Sequence, residues 1–193
     1  MKKALSALIA LVMILALAAC GGDYTTIDTS TPEGLAEKYV GAVIAGDGET
    51  IFNLTIDKYE VARRIESGFV SDEAEYIADC IEEAQEKVSE NEEEYGENLS
   101  FSDFEIEEQH IYNEEETALL VKYLEEGKTY PEGSVSDIQT LKVSFKVKGS
   151  EKESTLHYEQ SIAKIDGQWY WGITNINATH DGVLKFIKEL KGE

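Results

Sequence analysis

Three histidines, two cysteines and a large surplus of carboxylates are the groups in this 193-residue chain that could act on a ligand or hold a metal. A histidine beside a carboxylate is the simplest acid–base pair, because imidazole exchanges a proton near neutral pH and the carboxylate orients it. His157 and Glu159 stand two apart in a segment with strand periodicity, so they share one face, while Leu156 and Tyr158 hold the other and mark it as the inward one. That places the histidine pair in solvent. His180 precedes Asp181 at the start of a helical segment, where both suit capping of the first turn, and His110 sits in another strand. No His-x-x-x-His or Cys-x-x-Cys spacing occurs, and neither a nucleophile elbow nor a phosphate-cradling glycine loop is present. No catalytic residue, metal ligand or cofactor is therefore assigned. Cys80 lies in an apolar helical stripe and reads as a small buried hydrophobe. Cys20 differs: it follows Leu17-Ala18-Ala19 and precedes Gly21-Gly22, at the junction of an apolar leader and a polar chain.

The leader begins with Lys2 and Lys3, continues as an apolar run from Ala4 to about Ala16, and ends in small residues, the three zones of a secretory signal. Its apolar part falls short of the roughly 20 residues a membrane span needs. The stretch around Cys20 resembles the lipobox of bacterial lipoproteins. That resemblance implies a diacylglyceryl thioether on Cys20, cleavage before it, and an extracytoplasmic domain anchored to the cell membrane by lipid. Residues 1–19 are then the signal peptide, 20–31 the lipidated cysteine and a flexible tether, and 32–193 a single domain of sufficient size to build a core. With Cys20 acylated, Cys80 has no partner, and stability must come from packing rather than a disulfide.

Charge is distributed unevenly. Between Asp23 and Glu126 there are 30 acidic residues against 6 basic ones, whereas residues 127–193 carry 9 of each. Such a surface repels nucleic acid and anionic lipid, leaving a cationic protein as the charged partner it could accept. The densest stretch, Asp72 to Glu97, holds 12 acidic residues opposed by Lys87 alone and reads as the solvated face of a helix. It lacks the turn and oxygen spacing of a calcium loop.

The elements that would position any site follow from periodicity and caps. Thr31, Pro32 and Glu33 open a helix in which Leu35, Ala36, Tyr39, Val40, Val43 and Ile44 recur at helical spacing. A short helix at Glu49–Leu54, a third over Lys58–Glu66 and a long fourth capped by Ser71 complete a helical half. The fourth is expected to turn inward Ala74, Ile77, Ala78, Ile81, Ala84 and Val88. Beyond Ser100 the period changes to two. Phe104 and Ile106 begin one strand, Asn113 and its acidic neighbours make a turn, and Thr117–Leu124 is expected as a second strand. In Thr140–Lys148, Leu141, Val143, Phe145 and Val147 alternate with lysines and serine, as in a sheet with one wet face. Asp166-Gly167 marks a tight hairpin, and Asp181–Leu190 a closing helix.

This order, helices and then an antiparallel meander and then one helix, is an α+β layer fold. The first helix with its exit, Pro32 to Asp47, and the hairpin Ile165-Asp166-Gly167-Gln168-Trp169-Tyr170-Trp171 resemble the nuclear-transport-factor-two-like superfamily, specifically its small bacterial lipoproteins. The resemblance covers roughly Thr31 to Ile176. It implies a curved antiparallel sheet folding around a helix to leave a cone-like cavity, which holds a small apolar ligand in some members and supports dehydration or isomerisation in others. Tyr39, Tyr123, Trp169 and Trp171 are the residues placed to line such a cavity, or else to form ordinary core. The functional expectation is a non-enzymatic ligand- or protein-binding domain of the cell envelope. The alternatives are a lyase or isomerase using the cavity and an envelope-assembly or stress protein without a small ligand.

Overall fold

Thr31 accepts a hydrogen bond from the Gly34 amide through Oγ1 at 3.1 Å, Pro32 fills the first helical position, and Gly46 ends the helix in the left-handed region at φ 67°. The resulting α1, Pro32–Ala45, is one of six α-helices in the computed structural model, which describes residues 24–127, 130–173 and 178–192. Cys20 and the leader lie outside the described residues. Part of the expected tether is packed: Tyr24 is buried against α1 where Gly41 leaves room for its ring, and its hydroxyl donates to Asp47 at 3.0 Å. Asp47 in turn caps α2, Gly48–Leu54, by accepting from the Thr50 amide.

α3, Asp57–Glu66, and the long α4, Glu73–Tyr95, complete the helical half. Asp72, not Ser71, is the N-cap of α4, accepting from the Glu75 amide at 2.9 Å, while the Ser71 amide donates to the Glu75 carboxylate. The inward stripe is rotated from the expected one. Tyr76 and Ala84 are buried with Ile77, Cys80, Ile81 and Val88 beside them, whereas Ala74 and Ala78 face solvent. Tyr76 supplies the reason, since it packs edge-on against Phe52 of α2 and buries more apolar area than the alanines could.

The sheet is antiparallel in the order β1-β2-β3-β4, with β1 at Ser100–Ile111, β2 at Val135–Lys148, β3 at Glu153–Ile165 and β4 at Gln168–Trp171. Asp166 and Gly167 have φ of 51° and 83°, the double positive turn expected for the β3–β4 hairpin. The expected strand at Thr117–Leu124 is instead α5, Glu114–Glu126. A capping box decides it: Asn113 Oδ1 accepts from the Glu116 amide at 3.0 Å, and the Glu116 carboxylate accepts from the Asn113 amide at 3.1 Å. Three glutamates in the first turn also meet the positive end of the helix dipole, and Leu120 and Leu124, four apart, bury one face. A final helix, α6, spans His180–Lys191.

Helices cover both sides of the sheet. On one face Leu141, Val143, Ile162, Trp169 and Trp171 pack with Leu35 and Ala36 of α1. On the other, Ile138, Ala163, Ile165 and Tyr170 pack with Leu120 and Leu124 of α5 and Val183 and Ile187 of α6. Leu141, Val143, Phe145 and Val147 are buried as their alternation requires. The opposite face of β2 is wet only along its later half. Ile138 and Thr140 share that face with Lys142 and Lys146 by alternation; Ile138 is covered by α5 and α6 and Thr140 is buried, while Lys142 and Lys146 beyond them meet Glu107, Glu108 and Asp103 of β1 across the strands. β1 itself carries two register shifts, and Asp103 within the first has φ 51°.

Candidate ligand cavity

Helices α1 and α4 and the sheet enclose a cavity of about 340 Å³. That volume lies in the range that holds small organic ligands. α1 contributes Tyr39, Val40, Val43 and Ile44; the sheet contributes Phe145, Val147, Leu156, Tyr158 and Trp171; α4 closes the side with Cys80, Glu83, Ala84, Lys87 and Asn91. The deep walls are apolar, because Val40, Ile44, Ala84, Phe145 and Val147 are all buried, while Glu83, Lys87 and Tyr158 are exposed and form the rim.

Two ring pairs fix its shape. Tyr39 stacks on Trp171 with centroids 4.9 Å apart and planes 22° from parallel, and Phe145 stacks on Tyr158 at 5.8 Å and 7°. Trp171 is positioned by β4 pairing with Ile162 and by a bridge to Thr55, so the tryptophan cannot move without disturbing the sheet. Stacked rings of this kind contribute about 0.5–1.5 kcal/mol beyond the area they bury.

Asp57, first residue of α3, places a carboxylate in the lining. Its Oδ2 accepts from Thr55 Oγ1 at 2.7 Å and its Oδ1 from the Tyr76 hydroxyl at 3.0 Å. Burial, then the negative charge of Asp57, pushes Tyr39 up to about 12. The same two causes, with Glu83 and Asp79 adding to them, push the Cys80 thiol up to about 11. Tyr76 is raised likewise, by burial first and Asp57 second. Around neutral pH the two phenols and the thiol are therefore fully protonated. Cys80 is half-buried rather than fully buried as its helical stripe implied, and its raised pKa lowers the thiolate fraction on which nucleophilic reactivity depends.

Of the four aromatics expected at a cavity, Tyr39 and Trp171 line it. Trp169 is core on the same sheet face, packed with Leu35 and Leu141 and covered by the Lys164 ammonium at 5.7 Å. Tyr123 belongs to α5, meets Phe186 edge-on at 4.8 Å and lies on the opposite side of the sheet. Its displacement follows from the capping box that made its segment a helix. The α4 residues were missed because the sequence shows α4 as a glutamate run; the signal was the series Cys80, Ala84, Lys87 and Asn91, spaced three or four apart and interrupting it.

The histidines gather on the far face of the sheet. His110 and His180 stack with centroids 3.7 Å apart and planes 8° from parallel. The Tyr112 hydroxyl shares hydrogen bonds with Thr140 Oγ1 at 2.7 Å and with His180 Nδ1 at 3.3 Å, and Thr140 continues the chain to Ser161 at 3.1 Å. Glu159 accepts from the His180 amide at 2.6 Å, which anchors the start of α6. His157 pairs with Glu107 at 2.8 Å, away from the α1 face as its periodicity indicated. Among the described residues no group of three or more His, Cys, Asp or Glu side chains is arranged to hold a metal ion, and no helix is long and apolar enough to cross a membrane. No protein-family model, curated protein or solved structure matches the chain.

Proposed function

We propose that this chain is a lipid-anchored protein of the cell envelope whose domain binds a small, largely apolar ligand in the cavity between α1, α4 and the sheet, without transforming it. The observation that carries the reading is the cavity itself, with a rigid stacked pair, Tyr39–Trp171, on one wall and aliphatic side chains on the others. Tyr39 and the Cys80 thiol at this lining stay protonated near neutrality, and the three histidines lie on the other sheet face, which favours holding a ligand over moving its protons. The nuclear-transport-factor-two-like reading of the sequence is compatible with this and is part of the proposal.

A neutral solvatochromic dye such as Nile red tests the cavity. Its emission should brighten and shift to the blue with the native protein and stay unchanged with Val43→Trp, which fills the space from α1. Equal binding to both proteins would place the dye elsewhere and remove the reading. The anchor is tested separately: Cys20→Ser should move the protein from the membrane fraction to the soluble one, and retention in the membrane would end the lipoprotein reading.

A further inference from the structure

The charges lining the cavity indicate which ligand chemistry it suits. Three charged side chains reach it, Asp57, Glu83 and Lys87. Lys87 is already engaged, with its ammonium 2.7 Å from Glu90. Neither carboxylate meets a cation among the described residues. Asp57 is held by two neutral hydroxyls, those of Thr55 and Tyr76, which orient its oxygens and leave the charge in place. Among the described residues the Glu83 side chain makes no ion pair or hydrogen bond. A half-buried carboxylate is screened less by salt than an exposed one, and its charge is felt at Tyr39 and at Cys80, on two different walls. The lining thus sets one half-buried carboxylate, Asp57, among apolar walls, with Glu83 and Lys87 exposed at the rim.

Resting on the reading that this cavity binds a ligand, we propose that the ligand is an amphipathic cation, with an amine or ammonium head beside Asp57 and Glu83 and an apolar tail against Val40, Ile44, Val147 and Leu156. A carboxylate near aromatic faces suits such a head twice over, since both the full negative charge and the ring quadrupole attract a cation. Fatty carboxylates and other anionic amphipaths meet repulsion from the same groups. The overall acidity of the chain adds long-range steering toward cations but cannot distinguish one acidic residue from another.

The experiment is displacement of bound Nile red by three probes of equal chain length: octyltrimethylammonium, octyl glucoside and octanoate. The native protein should release dye to the ammonium at about a tenfold lower concentration than to the glucoside, with octanoate weakest, a tenfold ratio being ~1.4 kcal/mol. Asp57→Asn and Glu83→Gln should each lower the ammonium preference and leave the glucoside unchanged. Glu83→Gln keeps the test sound if Asp57→Asn disturbs the fold, because the Glu83 side chain is exposed and has no partner among the described residues. Glu82→Gln, one position along α4 and outside the lining, should keep the full preference. Equal displacement by the three probes overturns the cationic ligand and leaves the cavity standing. So does a Glu82→Gln effect as large as that of Glu83→Gln, which would assign the preference to bulk charge. Failure of the dye to bind removes the cavity reading and this proposal with it.

Discussion

Gly48→Ala tests how tightly α4, one wall of the cavity, is docked. Gly48 is the first residue of α2, and a methyl group added there would stand 2.5 Å from Ile81 Cα, 2.6 Å from the Ile81 nitrogen and 2.6 Å from the Cys80 carbonyl oxygen. Two effects of opposite sign compete. Helix propensity alone favours alanine by up to about 1 kcal/mol. Overpacking costs about 1–3 kcal/mol, toward the upper end here because the obstructing atoms are backbone and cannot rotate aside. The net expectation is destabilisation by about 1–2 kcal/mol, or roughly 2–8 °C in Tm for a domain of this size. Because Cys80 and Ala84 move with α4, dye affinity should fall as well. Gly127→Ala is the companion measurement: its nearest contacts are at 3.4 and 3.6 Å and its φ is −67°, so alanine should stabilise by about 0.4–1 kcal/mol. Urea denaturation of both variants reads the sign directly. If Gly48→Ala raised stability, α4 would not be seated on α2 and the cavity wall would be wrongly placed.

Leu120→Ala, a fully buried change beneath α5, should cost about 2–5 kcal/mol by the cavity it leaves and should not alter dye binding, since that cluster lies across the sheet; altered dye affinity in the folded variant would contradict the separation of the two faces. Asn113→Ala removes the α5 capping box and should cost ~1 kcal/mol in urea, with no change taken as evidence that the helix is held by packing alone. With Cys20 replaced by serine, Cys80 should react with iodoacetamide at pH 8.5 about a hundredfold more slowly than a free cysteine, whose ordinary pKa is near ~8.5. Cys80 and Tyr39 have raised folded pKa values, so their contribution to stability is complete below their unfolded values and lost as pH rises through about 11 and about 12. Denaturation midpoints should therefore decline above about pH 9 from this cause, and Cys80→Ala should reduce that decline.

The elements most legible in the sequence were those whose signal is local. The cap and apolar stripe of α1, the alternation of β2 and the Asp166-Gly167 turn each specify backbone geometry within a few residues, and all three are present. The Thr117–Leu124 segment misled because its apolar run fits either period; Asn113 with Glu116 held the decisive information, but these read equally as a turn. Trp171 and Tyr39 could be found because aromatics at the inward positions of α1 and the Asp166-Gly167 hairpin meet when those elements pack. Asp57, Glu83 and Lys87 could not, since charge on a helix surface reveals nothing about what docks across it. The stacking of His110 on His180 depends on how α6 returns over the sheet, a long-range event that no periodicity encodes.

β1 carries one further consequence. A twelve-residue strand at the margin of a sheet offers a template on which a second chain could extend the ladder, and proteins held close together are the most exposed to that hazard. β1 is broken by two register shifts, kinked at Asp103, and studded with Glu105, Glu107 and Glu108. At the other margin β4 is only four residues long and is bridged by Thr55. Both borders are thus guarded against lateral growth, by irregularity and like-charge repulsion on one side and by brevity on the other. The acidity of this region thereby acts as a safeguard against self-association, independent of whatever the cavity holds.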